Sequence, residues 1–313
     1  MSAFRRSFAF NPFAAPRRPR HPMLRIALGL VGVGLLLALL FVSVFIGIAM
    51  LAAGMLLRLW KQRGKPLAKA TRANSIDAPT APRIPVHDRA GALLGHFPVR
   101  RIYCVGRNFA DHAREMGAVA PASKAERGSP VFFMKPADAI VTDGEVPYPP
   151  GTNELHHEVE LVVALGRDAP KGELDTEAAM ALVFGYGIGL DLTRRDLQAA
   201  AKAKGLPWDT GKAFDHSAPV GPLLPAGELG DIAQMSLTLE INGERRQHGE
   251  LHDLIWDVAD ILHELSKLYA LRAGDLVFMG TPAGVGPLSA GDRFRAALAP
   301  SGPLLQGSIC MPR

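Results

Sequence analysis

Cysteine is almost missing from this chain: Cys104 and Cys310 are the only two among 313 residues. Two thiols far apart in sequence exclude a disulfide framework and a C-x-x-C metal knuckle. They read as two buried thiols, which fits a reducing compartment. Acid is missing from residues 1–76, where twelve Lys/Arg stand against no Asp or Glu. The other 237 residues hold 23 Lys/Arg against 30 Asp/Glu, so the two stretches carry +12 and −7. The formal net charge of +5 describes neither. Nucleic-acid binding needs basic charge on the folded body, and this body is acidic, so no nucleic-acid partner is expected.

Charge of either sign is missing from Ile26 to Leu57, a run of 32 residues. As a helix it rises about 48 Å, against a hydrocarbon core of ~30 Å. One long tilted span fits and two do not. The apolar region of a signal peptide, about 7–15 residues, is too short a description. A buried core helix would show a polar face. Six Arg precede the run and six Lys/Arg follow it, so no positive-inside bias sets its orientation. The expected organisation is a basic tail (1–25), a transmembrane helix (26–57), a basic, Pro-containing linker (58–83) and a catalytic domain (84–313). The last is long enough to bury a full core.

Within the body, short apolar segments punctuated by Gly, Pro and Asp predict strands. They fall at 101–105, 131–134, 158–165, 183–190, 236–242, 276–279 and 293–298. Helical patterns fall at 109–116, 176–182, 193–204 and 254–269. Strands and helices do not alternate regularly, so a doubly wound parallel sheet is not expected and a β-rich α+β domain is.

Chemistry gathers in four segments. In LHHEVELVVALG, a strand from Glu158 would put Glu158 and Glu160 on one face. Two carboxylates there are costly without a cation between them, although a solvated strand end would also carry them. Asp191 ends the run FGYGIGLD and precedes a helical pattern, where it serves either as a cap or as a third ligand. Three such carboxylates would form an all-oxygen site suited to Mg²⁺ or Mn²⁺. In NFADHAREMG, His112 and Glu115 share a helix face as either a surface pair or a carboxylate-oriented general base. Gly185, Gly187 and Gly189 lack the later phosphate-facing glycine of a dinucleotide fingerprint. GTPAGVG (280–286) lacks the Lys-Ser/Thr of a phosphate loop. It can instead offer backbone N–H groups and Thr281 to a carboxylate.

The strings YCVGRNFADHAREMG, PVFFMKPADAI, LHHEVELVVALG, GLDLTRRDLQ, GKAFDHSAPVGP and GDLVFMGTPAGVGPL occur in this order. From about Phe97 onward the chain resembles the fumarylacetoacetate hydrolase superfamily, most of all its acylpyruvate and fumarylpyruvate hydrolase branch. The resemblance implies a mixed β-sandwich roll, usually a homodimer. It implies that Glu158, Glu160 and Asp191 bind Mg²⁺ or Mn²⁺, and that His112 and Glu115, on a lid, activate water. It implies that Lys212 contacts substrate oxygens, that Arg195 and Gln198 turn toward the site, and that Arg107 and Thr281 lie near the substrate carboxylate. The expected reaction is metal-dependent hydrolysis of a C–C bond in an acylpyruvate, giving pyruvate and an acid. Oxaloacetate decarboxylation and isomerisation of dienoic diacids use the same machinery. A catalytically dead membrane scaffold would have lost one of these residues, and none is lost. An N-terminal span departs from the family's pattern. The anionic substrate and the need for Mg²⁺ place the catalytic domain on the cytoplasmic side of the anchor.

Overall fold

The computed structural model describes residues 22–63, 80–115, 117, 119, 121 and 123–311. Most of the expected basic tail and of the linker lies outside these residues. The chain separates into two compact units, Met1–Ala78 and Pro79–Arg313.

Among the described residues the first unit holds one helix, Pro22–Arg63. Its stretch Ile26–Leu57 is long and apolar enough to cross a membrane. Along this stretch the described apolar side chains are exposed, Leu51 at 77%. Its one hydroxyl, Ser43, donates to the Leu39 carbonyl at 2.8 Å, so it turns back onto the helix's own backbone.

The second unit is built on two mixed sheets. The six-stranded sheet runs Leu224–Pro225, Val183–Leu190, Val159–Leu165, Asp275–Phe278, Arg101–Gly106, Val131–Lys135. Its one parallel pairing joins Asp275–Phe278 to Arg101–Gly106. The five-stranded sheet runs Glu244–Glu250, Ser236–Ile241, Arg293–Ala299, Leu304–Cys310, Glu145–Pro147, parallel only at the last pair. This is the α+β class expected from the segment pattern.

Every residue of Val159–Leu165 is buried. Leu161 and Val163 enter one apolar cluster, and Val162 and Ala164 enter another on the opposite face. A strand covered on both sides is apolar wherever it packs on a cluster, which is why LVVAL shows no alternation. The helix Val258–Leu268 buries Ile261, Leu262 and Leu265 against the first cluster. It starts where the Asp257 carboxylate accepts from the Asp260 N–H at 2.9 Å, a side-chain cap on a free helical donor.

Several boundaries differ from the sequence expectation. The strand expected from Glu158 begins at Val159, and Leu155–His157 forms a separate strand, so Glu158 occupies a one-residue break. The helix expected from Thr193 begins at Arg195, because Thr193 and Arg194 pair with His156 and Leu155. The hairpin Arg83–His87/Leu93–Pro98 and the strands Glu244–Glu250 and Leu304–Cys310 were not expected. Charged residues and glycines in them erase the apolar alternation. Cys104 is buried as expected, whereas Cys310 is half-buried.

Candidate active site

Glu158, Glu160 and Asp191 converge from adjoining strands, and all three are buried. One carboxylate oxygen from each lies within 4.8 Å of the others. The backbone enforces this: the Asp191 N–H donates to the Glu158 carbonyl at 2.8 Å, and Glu160 lies across the ladder from Gly189. Only glycine fits at 189, because a Cβ there would stand 2.8 Å from the Phe278 ring.

Three cationic side chains answer the three acids. Lys212 Nζ donates to Glu158 Oε2 at 2.8 Å and to Asp191 Oδ2 at 2.6 Å. Arg195 pairs with Glu158 and donates to Gln198 Oε1 at 2.7 Å. Lys135 Nζ lies 2.8 Å from Asp191 Oδ1 as an ion pair and also donates to the Leu192 and Lys212 carbonyls. Among the described residues Asp191 Oδ1 has this ion pair but no aligned hydrogen bond.

Burial alone would raise the Glu158 pKa, but Lys212 and Arg195 hold it well below the usual carboxylate range. Burial, then Asp191 and Glu158, push Glu160 well above that range. The Gly280 N–H donates to Glu160 Oε2 at 2.8 Å. Three crowded, buried carboxylates, one oxygen of which has no aligned hydrogen bond, fit a bound divalent cation, and hard oxygen donors fit Mg²⁺ or Mn²⁺.

His112 and Glu115 lie on the short helix Ala110–Glu115. His112 is buried, and its Nδ1 stands 3.3 Å from Glu115 Oε2. Glu115 also accepts from the Gly284 N–H, at 3.2 and 3.3 Å to its two oxygens. Asn108 fixes the start of this segment through bonds to Trp256 and the Met279 carbonyl. A Cβ on Gly280 (φ +94°) would stand 2.7 Å from the Asn108 Cβ.

All ten residues singled out in the sequence meet here. Arg107, His112, Glu158, Glu160, Asp191, Arg195, Gln198, Lys212 and Thr281 line one cavity of about 30 Å³, room for about one water or ion. Glu115 stands behind His112. Arg107 takes a left-handed backbone (φ 58°) at the end of its strand, a conformation of higher energy for a non-glycine residue.

Other residues at the site gave no clear signal in the sequence. Gln247 is buried; it accepts from the Val159 N–H and His157 Nδ1 and donates to Thr281 Oγ1 at 2.8 Å. The Thr281 hydroxyl thus has its oxygen engaged and its hydrogen free for a ligand. Its signal was the amide inside ERRQHGE, which no apolar pattern marked as a buried strand. Lys135 ends VFFMK and reads there as a strand terminus. Burial and then Arg195 lower His156 to about 4, so its neutral Nδ1 faces Arg195 Nε at 3.4 Å. Phe133, Lys202 and Trp208 complete the cavity wall.

A family model described as "Fumarylacetoacetate (FAA) hydrolase C-terminal" matches residues 101–307. The oxaloacetate tautomerase YcgM of Escherichia coli K12 is 41% identical over 210 residues, 66% of this chain and 92% of that protein. The human mitochondrial oxaloacetate tautomerase FAHD1 is 40% identical over 200 residues, 64% of this chain and 87% of that protein. A crystal structure of fumarylpyruvate hydrolase from Pseudomonas aeruginosa, in complex with Mn²⁺ and pyruvate, matches at 44% identity. Its TM-score is 0.69, and the match covers 76% of this chain and all of that one. A family match across two-thirds of the sequence, joined to the carboxylate centre the fold assembles, means that the chain belongs to the fumarylacetoacetate hydrolase family.

Proposed function

We propose that this enzyme hydrolyses the C–C bond of an acylpyruvate, R–CO–CH₂–CO–COO⁻, releasing pyruvate and a carboxylic acid. One observation carries the reading: the carboxylate cluster, His112 and the Lys212 ammonium line a single cavity, with Glu115 paired to His112 behind it. A bound Mg²⁺ or Mn²⁺ supplies Lewis-acid stabilisation of the charge that develops on the keto-acid oxygens. Arg107 and the Thr281 hydroxyl hold the substrate carboxylate. His112, oriented by Glu115, takes a proton from water as that water attacks the distal carbonyl. Lys212 and Gln198 steady the resulting oxyanion. Cleavage expels the pyruvate half as its enolate.

His112→Ala is expected to lower kcat by about 10²- to 10⁴-fold. Full turnover of that variant at saturating metal removes His112 from the role of base.

The names of the curated relatives support a second reading on the same residues, enol–keto conversion or decarboxylation of oxaloacetate. A panel of acetylpyruvate, fumarylpyruvate and oxaloacetate separates the two. Pyruvate release reports cleavage or decarboxylation, and the decay of enol absorbance reports tautomerisation. The absence of pyruvate from both acylpyruvates sinks the hydrolase reading.

The same reading places the enzyme on a membrane through Ile26–Leu57, supported by the length and apolar composition of that stretch. The catalytic unit then faces the cytoplasm, where the anionic substrate and Mg²⁺ are found. Protease treatment of intact cells that removes the catalytic unit overturns this topology. The family resemblance supports a homodimer, which light scattering of the detergent-extracted protein tests.

A further inference from the structure

Lys202 has no place in the chemistry above. It sits half-buried on the helix Arg195–Ala203, facing the same cavity as the carboxylates. Its Nζ lies 4.8 Å from the centre of the Trp208 ring. The Trp208 ring lies 6.2 Å from the Phe133 ring, and Lys212 Nζ stands 5.0 Å from the Phe133 centre. The wall therefore reads ammonium, indole, phenyl, ammonium. The two ends differ in one respect. Lys212 is matched by Glu158 and Asp191. Among the described residues no carboxylate forms an ion pair with Lys202; Glu158 favours its charge but is committed to Arg195 and Lys212. Burial, Arg195 and Arg107 all disfavour the charge on Lys202. A half-buried cation among other cations is costly unless an anion completes it. Beyond this wall a groove of about 410 Å³, lined by Phe132, Met134 and Leu206, shares Phe133, Trp208 and Lys212 with the catalytic cavity.

We infer that Lys202 is a specificity-determining residue that receives a terminal carboxylate on the substrate's acyl group, with Trp208 and Phe133 flanking the chain that leads to it. The preferred substrate is then an elongated, dianionic acylpyruvate whose tail is flat enough to lie along two rings. Fumarylpyruvate has this form, whereas acetylpyruvate has no distal charge. The inference rests on the hydrolase reading for its substrate class, but its test has a readout independent of turnover.

Fumarate and crotonate share a four-carbon unsaturated chain and differ in the second carboxylate. Calorimetry on the Mg²⁺-loaded full-length protein should find fumarate bound about 10- to 100-fold more tightly than crotonate, the effect of one charge-assisted hydrogen bond. Lys202→Met, with unchanged circular dichroism, should abolish that preference. Lys202→Arg should retain part of it. In parallel, the ratio of kcat/KM for fumarylpyruvate to that for acetylpyruvate should fall at least about tenfold in Lys202→Met. A wild-type preference for fumarate that survives in Lys202→Met overturns the inference, as does the absence of any preference in the wild type. A preference that Lys202→Met abolishes, in a protein that releases no pyruvate from either acylpyruvate, upholds the carboxylate receptor and removes the hydrolase reading instead.

Discussion

Two sets of buried carboxylates lie at opposite ends of one strand, and they are wired in opposite ways. Asp275 opens the strand Asp275–Phe278, while Gly280 and Thr281, just past its other end, belong to the active site. Asp275 is one charge with a surplus of donors. It accepts from Arg101 at 3.0 and 2.6 Å, from Arg100 at 3.2 Å and from the Arg272 N–H at 2.8 Å. Its partners are fixed and the surrounding chain is tied down by them. At the far end three acids crowd together, one with its pKa pushed far up and another with an oxygen that has no aligned hydrogen bond. A buried carboxylate that serves structure is over-supplied with donors. One reserved for a ligand is set among its own kind.

The largest expected effect comes from weakening the crowded end. Glu160→Gln should lower turnover by about 10³-fold or more, since the cation supplies several kcal/mol of transition-state stabilisation. The same variant should raise the melting temperature of chelator-treated protein. The sign follows from linkage. A carboxyl whose folded pKa is raised binds more protons folded than unfolded, so metal-free stability falls as pH climbs from the ordinary carboxylate range toward the raised value. Thermal melts in chelator across that range should slope downward for wild type and flatten for Glu160→Gln. Equal slopes would mean that the crowding carries no energetic cost.

Next in size is Asp275→Asn. Removing one partner of a buried ion pair costs about 3–5 kcal/mol, and the lower end is expected because asparagine keeps one acceptor. Urea unfolding should record the loss while kcat of the folded fraction stays near wild type. A fall in kcat matching that of Glu160→Gln would erase the distinction between the two ends of the strand.

The smallest effect tests what connects the ligand strand to the Thr281 loop. Gln247→Leu removes the donor that orients Thr281, and about a tenfold rise in KM at nearly constant kcat is expected from one lost hydrogen bond to a charged group. A change confined to kcat would detach Thr281 from carboxylate binding.

The carboxylate centre was legible through the family resemblance of the strings that carry it, while spacing alone, with its members close along the chain, left a solvated strand end and a helix cap as alternatives. Two sit two residues apart, and the third ends the next strand, so a hairpin was enough to join them. That Glu158 falls in a break between strands did not spoil the reading, since pairing continues through its carbonyl to Asp191. The central strands were legible because burial on both faces left them mostly apolar, with few charged residues. The hairpin at Arg83–Pro98 and the strand Glu244–Glu250 were not, because exposed edge and outer strands tolerate charge and glycine. Gln247, Lys135 and Lys202 were hidden for a related reason. Each is a polar side chain whose partners come from remote segments, and nothing beside Lys202 in AAAKAKG distinguishes it from a solvated helix face. Asp275 reads in sequence as a turn acid and is identified only by the arginines that three-dimensional packing brings to it.

Glu115 has a consequence for timing. One carboxylate both orients His112 and, among the described residues, makes the hydrogen bond from the helix Ala110–Glu115 to the Gly280–Gly286 loop. Seating the helix and readying its imidazole are therefore a single event. A helix displaced from the loop takes away the anchorage of the carboxylate that, in the proposed mechanism, orients His112 as the base. Under the proposed mechanism a half-assembled site is chemically quiet, and water loses its proton only when the wall around it is complete.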